Sequence, residues 1–91
     1  MPRSRSPALV LRRIGRRIRE IRRDRGLSQV ELAAQLDIAR QFLSRVELGR
    51  HNISIRFLAD LGGVLGVEVE AFLEPPRSLT VRRGRPPTPR G

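Results

Sequence analysis

Side chains that donate or accept hydrogen bonds are concentrated between Arg40 and about Leu48. Leu43 and Val46 lie three positions apart in this segment, which predicts a short helix with an apolar inner side. The outer side then presents Arg40, Gln41, Ser44 and Arg45. Arginine can pair bidentately with guanine O6 and N7, and glutamine with adenine N6 and N7. The pattern is therefore compatible with contact to base edges, although on its own it also describes an ordinary solvated helix surface.

Residue types that support catalysis or metal binding are scarce. The chain has no cysteine and a single histidine, His51, so thiolate sites and multi-histidine metal sites lack their ligands. Glu47 lacks a partner carboxylate or a nucleophile arrangement that would make it a catalytic acid. No glycine-rich loop of the kind that cradles phosphates is present. We therefore expect a protein that is not an enzyme and that uses no metal and no cofactor.

Charge is unevenly distributed along the 91 residues. The chain has 19 basic residues, all arginine, and 9 acidic residues, which gives a net charge of +10. Residues 1–25 hold ten of the arginines, and residues 77–91 hold five without any acidic residue. A GC-rich genome would explain the choice of arginine over lysine, but it would not explain this placement. The basic ends indicate a polyanionic partner.

Apolar spacing and cap residues predict the first two helices. A first helix is expected from about Ala8 to Arg25, and Gly26 ends it. Its apolar residues recur at spacings of three and four: Leu11, Ile14, Ile18 and Ile21. Ser28 and Glu31 have the spacing of a capping box, so a second helix of about eight residues begins at Gln29. The predicted inner face of this second helix consists of Val30, Ala33 and Leu36.

Three more short helices complete an all-α fold. The third ends at Gly49, and a fourth is expected from about Ser54 to Leu65. The fourth contains Gly62 and Gly63, and two interior glycines indicate close helix packing because each costs about 1 kcal/mol against alanine. A fifth helix at about Val69 to Leu73 precedes two prolines that block its continuation.

Composition divides the chain into three parts. We expect a flexible basic arm at 1–8, a helical domain at 9–74 and a flexible Pro/Arg-rich tail at 75–91. No apolar run approaches the roughly 20 residues that a membrane-spanning helix needs. The first seven residues lack the apolar stretch of a signal peptide. We therefore expect no membrane partner and a cytoplasmic location.

Residues 27–54, LSQVELAAQLDIARQFLSRVELGRHNIS, resemble the helix-turn-helix of the Cro and lambda-repressor-like (XRE-type) family. The resemblance extends over about residues 11–73. Its matching elements are Arg22, Leu27 to Gln29, Glu31 to Ala33, Ile38, Leu43, Ser44, Glu47, Gly49 and Leu65 to Val67. The chain departs from the family at Asp37, where glycine is usual, and at Ala39, where serine or threonine is usual. Aspartate tolerates a left-handed turn, and a missing cap costs about 1 kcal/mol without removing the fold.

The resemblance implies a lambda-repressor-like five-helix domain that binds double-stranded DNA with its third helix in the major groove. Family positions equivalent to Gln29, Arg40, Gln41 and Arg45 contact bases or phosphate. Arg50, His51 and Asn52 follow in a loop that runs along the DNA backbone in the family, where they would position the protein. Arg22 and Glu47 match an ion pair that ties helix one to helix three.

The implied function is a sequence-specific transcriptional regulator that acts at the nucleoid as a dimeric repressor on a palindromic operator. Phe72 and Leu73 are the expected dimer surface. Two alternatives remain open. Residues 47–54 resemble restriction-modification controller proteins, for which RNA polymerase would be a partner. The chain could also be the antitoxin of a toxin–antitoxin pair and bind a toxin as well as DNA.

Arginines outside the helix-turn-helix raise two further possibilities. Arg83, Gly84, Arg85 and Pro86 resemble the core of an AT-hook, in which an extended segment lies in a narrow minor groove. The alternatives are a disordered tail with loose electrostatic affinity and a short strand at residues 78–82. Seven of the eight arginines of the first predicted helix, all except Arg22, are expected to form mostly a solvated face, with some nonspecific attraction to phosphate.

Overall fold

All regular structure in the computed structural model, which describes residues 6–77, is helical. The five helices are α1 Pro7–Asp24, α2 Gln29–Leu36, α3 Arg40–Glu47, α4 Ile55–Leu65 and α5 Glu70–Leu73. No strand occurs within this described range. The predicted all-α class is confirmed, and every helix end lies within one residue of its predicted position.

Serine residues cap three of the helices. The Ser6 and Ser54 side chains each accept a hydrogen bond from the third amide of α1 and α4, respectively. The capping box at α2 is complete, since Ser28 Oγ accepts from the Glu31 amide at 3.0 Å and Glu31 Oε1 accepts from the Ser28 amide at 2.8 Å. Ala39 provides no side-chain bond at the start of α3, as its residue type predicts.

The turn between α2 and α3 depends on Asp37. This residue adopts the left-handed conformation, with φ of 58°, which glycine adopts most readily. The amide of Asp37 donates to the Ala34 carbonyl at 3.2 Å, and the amide of Ile38 donates to the Ala33 carbonyl at 3.0 Å. The tight turn therefore forms without glycine, and it sets the direction in which α3 leaves α2.

The core is aliphatic and receives residues from all five helices. Its buried members are Ile18, Ile21, Leu32, Ala33, Leu43, Val46, Leu58, Leu61, Leu65 and Phe72.

Two predictions were wrong. Val30 is 61% exposed, and the inner face of α2 is formed by Leu32 and Ala33 with Leu36 packed against them. Phe72 is fully buried, so it cannot belong to a dimer surface, whereas Leu73 is exposed.

Glycines allow close backbone contact at two places. A Cβ on Gly15 would lie 2.6 Å from the Glu47 carbonyl oxygen and against that of Val46, so α1 packs directly on the end of α3. A Cβ on Gly62 would lie 2.5 Å from the Val67 carbonyl oxygen. A Cβ on Gly63 would meet nothing within 4 Å. A close backbone contact thus occurs at Gly62 but with the loop after α4 and not with another helix, and none occurs at Gly63, where the prediction was wrong.

Arginines of α1 also hold the last helices in place. Arg17 Nε donates to the Ala71 carbonyl oxygen of α5 at 2.7 Å, and Arg17 Nη2 contacts Glu74 at 3.0 Å. Arg25 Nε donates to the Leu65 carbonyl oxygen at the end of α4 at 2.7 Å. Arg17 and Arg25 therefore have a structural role.

The ends of the chain lie outside the described residues. The AT-hook-like segment Arg83, Gly84, Arg85 and Pro86, the possible strand at 78–82 and most of the predicted basic arm fall there. Among residues 6–77, no helix is long and apolar enough to cross a bilayer. The same residues contain no group of three or more side chains that would hold a metal ion.

Candidate nucleic-acid interface

The outer side of α3 is a polar surface on a helix whose inner side is fixed in the core. Leu43 and Val46 have no exposed surface and face inward. Arg40, Gln41 and Arg45 are exposed, and Ser44 is half-buried. The structure thus places all four side chains predicted to contact bases on α3 away from the core.

A buried ion pair joins α1 to the end of α3. Arg22 Nε donates to Glu47 Oε2 at 2.7 Å, and Arg22 Nη2 donates to Glu47 Oε1 at 3.0 Å. Their side chains are 8% and 3% exposed. Arg22 Nη1 also donates to the Leu27 carbonyl oxygen at 2.8 Å. Because two parallel bonds fix the planes of both groups, α3 is held at one rotation against α1.

Gln29 extends this ion pair to the surface. Its Nε2 donates to Glu47 Oε1 at 2.9 Å, and its Oε1 accepts a hydrogen bond from Arg40 Nη1 at 2.9 Å. The first side chain of α3 is therefore connected through Gln29 and Glu47 to Arg22 in the core. Each of these residues was predicted from the sequence, but their connection in one series of bonds was not.

The loop after α3 presents a second group of predicted contacts. Arg50, His51 and Asn52 are all exposed. The His51 ring packs edge-on against Phe42 of α3, with ring centroids 4.6 Å apart, and Phe42 in turn packs on Phe57 of α4 at 5.7 Å. This aromatic stack holds the loop against α3 and α4, so its polar residues have a defined place relative to α3.

Arg77, the last described residue, meets two acidic side chains near the C-terminal end of α1. Arg77 Nη2 donates to Asp24 Oδ2 at 2.9 Å, and Arg77 Nε lies 3.6 Å from Glu20 Oε1. The hydrogen bond to Asp24, and then the attraction of its charge, raise the pKa of Arg77 above its ordinary value. Arg77 is therefore held beside α1.

Sequence comparison assigns the family. A family profile described as helix-turn-helix matches residues 18–72, which is more than half of the chain and contains α2, the turn and α3. The chain belongs to the helix-turn-helix family of the Cro and lambda-repressor type. In this helix-turn-helix chain, α2 and α3 form the family's two-helix unit, and α3 presents the exposed polar side described above.

Curated relatives match the helix-turn-helix region. The immunity repressor protein of Bacillus phage phi105 is 38% identical over 60 residues, which cover 66% of this chain and 42% of that protein. The HTH-type transcriptional regulator SinR of Bacillus subtilis is 39% identical over 62 residues, 67% of this chain and 56% of that protein. The chain spans about half the length of these relatives.

Solved structures share the fold. The restriction-modification controller protein C.AhdI from Aeromonas hydrophila superposes with a TM-score of 0.70 at 31% identity, covering 75% of this chain and 99% of that one. SinR in complex with DNA superposes with a TM-score of 0.62 at 39% identity, covering 67% of this chain and 98% of that one. Both alignments show the five-helix domain of the family.

Proposed function

We propose that this protein is a sequence-specific regulator of transcription that binds double-stranded DNA with the outer side of α3 in the major groove. The observation that carries the proposal is the exposed set Arg40, Gln41 and Arg45 on a helix whose rotation is fixed by the Arg22–Glu47 pair. Guanidinium and amide groups on such a helix can match the edges of guanine and adenine, each match contributing about 1 to 3 kcal/mol of discrimination. SinR, a relative with the same domain, has been solved with DNA.

The predicted residues outside α3 would contact the sugar-phosphate backbone. Gln29 is the first residue of α2, where free backbone amides favour a phosphate. One proton of its side-chain NH2 is donated to Glu47, so the second proton and the backbone amides would hold the phosphate while its carbonyl oxygen orients Arg40. Arg50, His51 and Asn52 would set the position of the domain along the DNA without selecting bases.

We propose a homodimeric repressor as the acting form. One helix-turn-helix unit covers a small area of DNA, and a two-fold dimer would place two copies of α3 in half-sites about 34 Å apart. Leu73, which is 54% exposed, remains the candidate dimer contact, whereas Phe72 is excluded by its burial. The phage relative is named an immunity repressor, which favours repression of a promoter as the mode of regulation at the nucleoid.

A restriction-modification controller is the second candidate function. It is favoured by the superposition on C.AhdI, because the aligned region includes 99% of the C.AhdI chain. Such a regulator would have RNA polymerase as an additional partner. Both candidate functions use the same DNA-binding face and neither is an enzymatic activity.

In vitro selection from random duplex DNA tests the proposal. We expect the wild-type chain to select a palindrome, and we expect the variant Arg40→Ala, Gln41→Ala, Arg45→Ala to lose it. A control with the same residue types changed elsewhere, Arg13→Ala, Gln35→Ala, Arg23→Ala, should select the wild-type sequence. If the wild type selects no motif, or if the first variant keeps the motif, the proposal is wrong.

A further inference from the structure

A groove next to the proposed base-reading face is lined by arginines of α1 that the helix-turn-helix assignment leaves unused, together with Arg50. It lies between α1 and the end of α3, and two glycines create it. Gly15 lets the backbone of α1 pack on the Glu47 carbonyl, and Gly49 lies so close to α1 that a Cβ would be 2.6 Å from Arg12 Cα. The two walls of the groove are therefore in backbone contact, and their relative position is fixed by the fold.

The groove is strongly positive. Its lining includes four arginines, Arg12, Arg16, Arg19 and Arg50, and one carboxylate, Glu47. That carboxylate already accepts bonds from Arg22 and Gln29, so its charge is compensated from within the domain. Within residues 6–77, Arg12 and Arg19 are exposed and form no ion pair. Their charge is available to a partner.

The groove is continuous with the proposed DNA-binding face. Arg19 lines it and also lines a neighbouring depression together with Gln29 and Ser44. Arg12 and Arg19 are seven residues apart on α1, a separation of about 10 Å along the helix axis. One DNA strand carries a phosphate about every 3.4 Å along its axis, so this row covers about three nucleotides. The row therefore matches a short stretch of one strand.

We propose that the α1 arginine groove binds the phosphodiester backbone of DNA that flanks the bases contacted by α3. The inference rests on the proposed function, and it extends the binding site to residues outside the helix-turn-helix. Arg12 and Arg19 contact phosphates there, whereas Arg17 and Arg25 of the same helix are bonded to the fold. The contacts carry no sequence information, so they add affinity equally on every sequence.

The salt dependence of binding tests this site. Each phosphate contact contributes about 0.9 to the slope of log affinity against log salt concentration, so Arg12→Gln, Arg19→Gln should lower the magnitude of the slope by about 2. Between 50 and 200 mM salt, the wild type should then lose about tenfold more affinity than the variant. Fluorescence anisotropy is measured on two labelled duplexes, one carrying the selected motif and one of random sequence, with the expected change on both.

The control removes the same charge from the same helix outside the groove. Arg13→Gln, Arg23→Gln should change the slope by less than half as much, with thermal unfolding showing that both variants remain folded. An unchanged slope in the groove variant overturns the proposed site. An equal change of slope in the control variant also overturns it, because only the net charge of α1 would then matter. Failure of the proposed function would be seen separately. The wild type would then select no motif, but the salt slopes of the wild type and the groove variant could still be compared on the random duplex.

Discussion

Glu47 connects the core to the surface that we propose reads DNA. Its two carboxylate oxygens accept three bonds, two from Arg22 and one from Gln29, and Gln29 in turn accepts one from Arg40. A single buried acidic residue thus compensates the charge of a buried arginine and orients the first side chain of α3. Its contribution to stability and its contribution to binding should be separable by substitution.

Loss of the Glu47 charge should destabilise the fold. In Glu47→Gln the buried Arg22 guanidinium loses its counter-charge, and an uncompensated buried charge typically costs about 3 to 5 kcal/mol. We expect urea denaturation to show that the free energy of unfolding falls by about 3 kcal/mol. Replacing both partners, Arg22→Met with Glu47→Leu, should recover most of the loss. The exposed Glu68→Gln serves as a control, and a loss below about 1 kcal/mol for Glu47→Gln would refute this role.

At the scale of the helices, the two adjacent glycines of α4 have opposite environments. A methyl group at Gly62 would overlap the Val67 carbonyl, whereas a methyl group at Gly63 would enter open space. Gly62→Ala should therefore lower the free energy of unfolding by about 1 to 3 kcal/mol. Gly63→Ala should raise it by about 0.5 to 1 kcal/mol, because alanine favours the helix. Thermal or urea unfolding measures both, and changes of the same sign would contradict the packing described for α4.

Local features of the helices were predictable from the sequence. The Ser28 and Glu31 capping box and the ends of all five helices depend on residues within a few positions of one another. The inner residues of α1 and α3 followed from their spacing, and the exposed side of α3 followed from the inner residues. The fold class and the exposed residues of α3 could therefore be predicted from the sequence alone.

Features that depend on contacts between distant helices were not predictable. Periodicity placed Val30 on the inner side of α2, but the packing of α2 against α3 and α4 turns that residue to solvent. Phe72 looked like an exposed dimer contact, yet it fills the core beside Gly62, where a Cβ would lie 3.8 Å from its ring. The bond series from Arg22 to Arg40 and the α1 arginine groove likewise require α1 and α3 to meet.

At the scale of the whole molecule, positive charge lies beside the proposed reading face. The arginine groove lies on one side of α3, and Arg77 attaches the start of the basic tail to Asp24 and Glu20 of the same helix α1. Residues 1–8 and 75–91 add seven of the 19 arginines. A salt-sensitive, sequence-independent component of DNA binding should therefore accompany base recognition.

The AT-hook hypothesis for the tail leads to a prediction about flanking DNA. A chain ending at Arg77 keeps the ion pairs with α1 but lacks Arg83, Gly84, Arg85 and Pro86. If these residues enter a narrow minor groove, the truncated chain should lose more affinity on duplexes with AT-rich flanks than on those with GC-rich flanks. Gel-shift titrations on the two duplexes measure the difference. An equal loss on both would leave only a general electrostatic contribution of the tail.

Base recognition by α3 is the central claim, and a change of base preference at Arg45 tests it most directly. Single-base-pair variants of the selected duplex are competed against one another for binding to the wild type and to Arg45→Gln. At one position in each half-site, the wild type should prefer guanine and Arg45→Gln should prefer adenine, with differences of about 1 to 3 kcal/mol. The same order of preference at every position for both proteins would contradict base recognition by this side of α3.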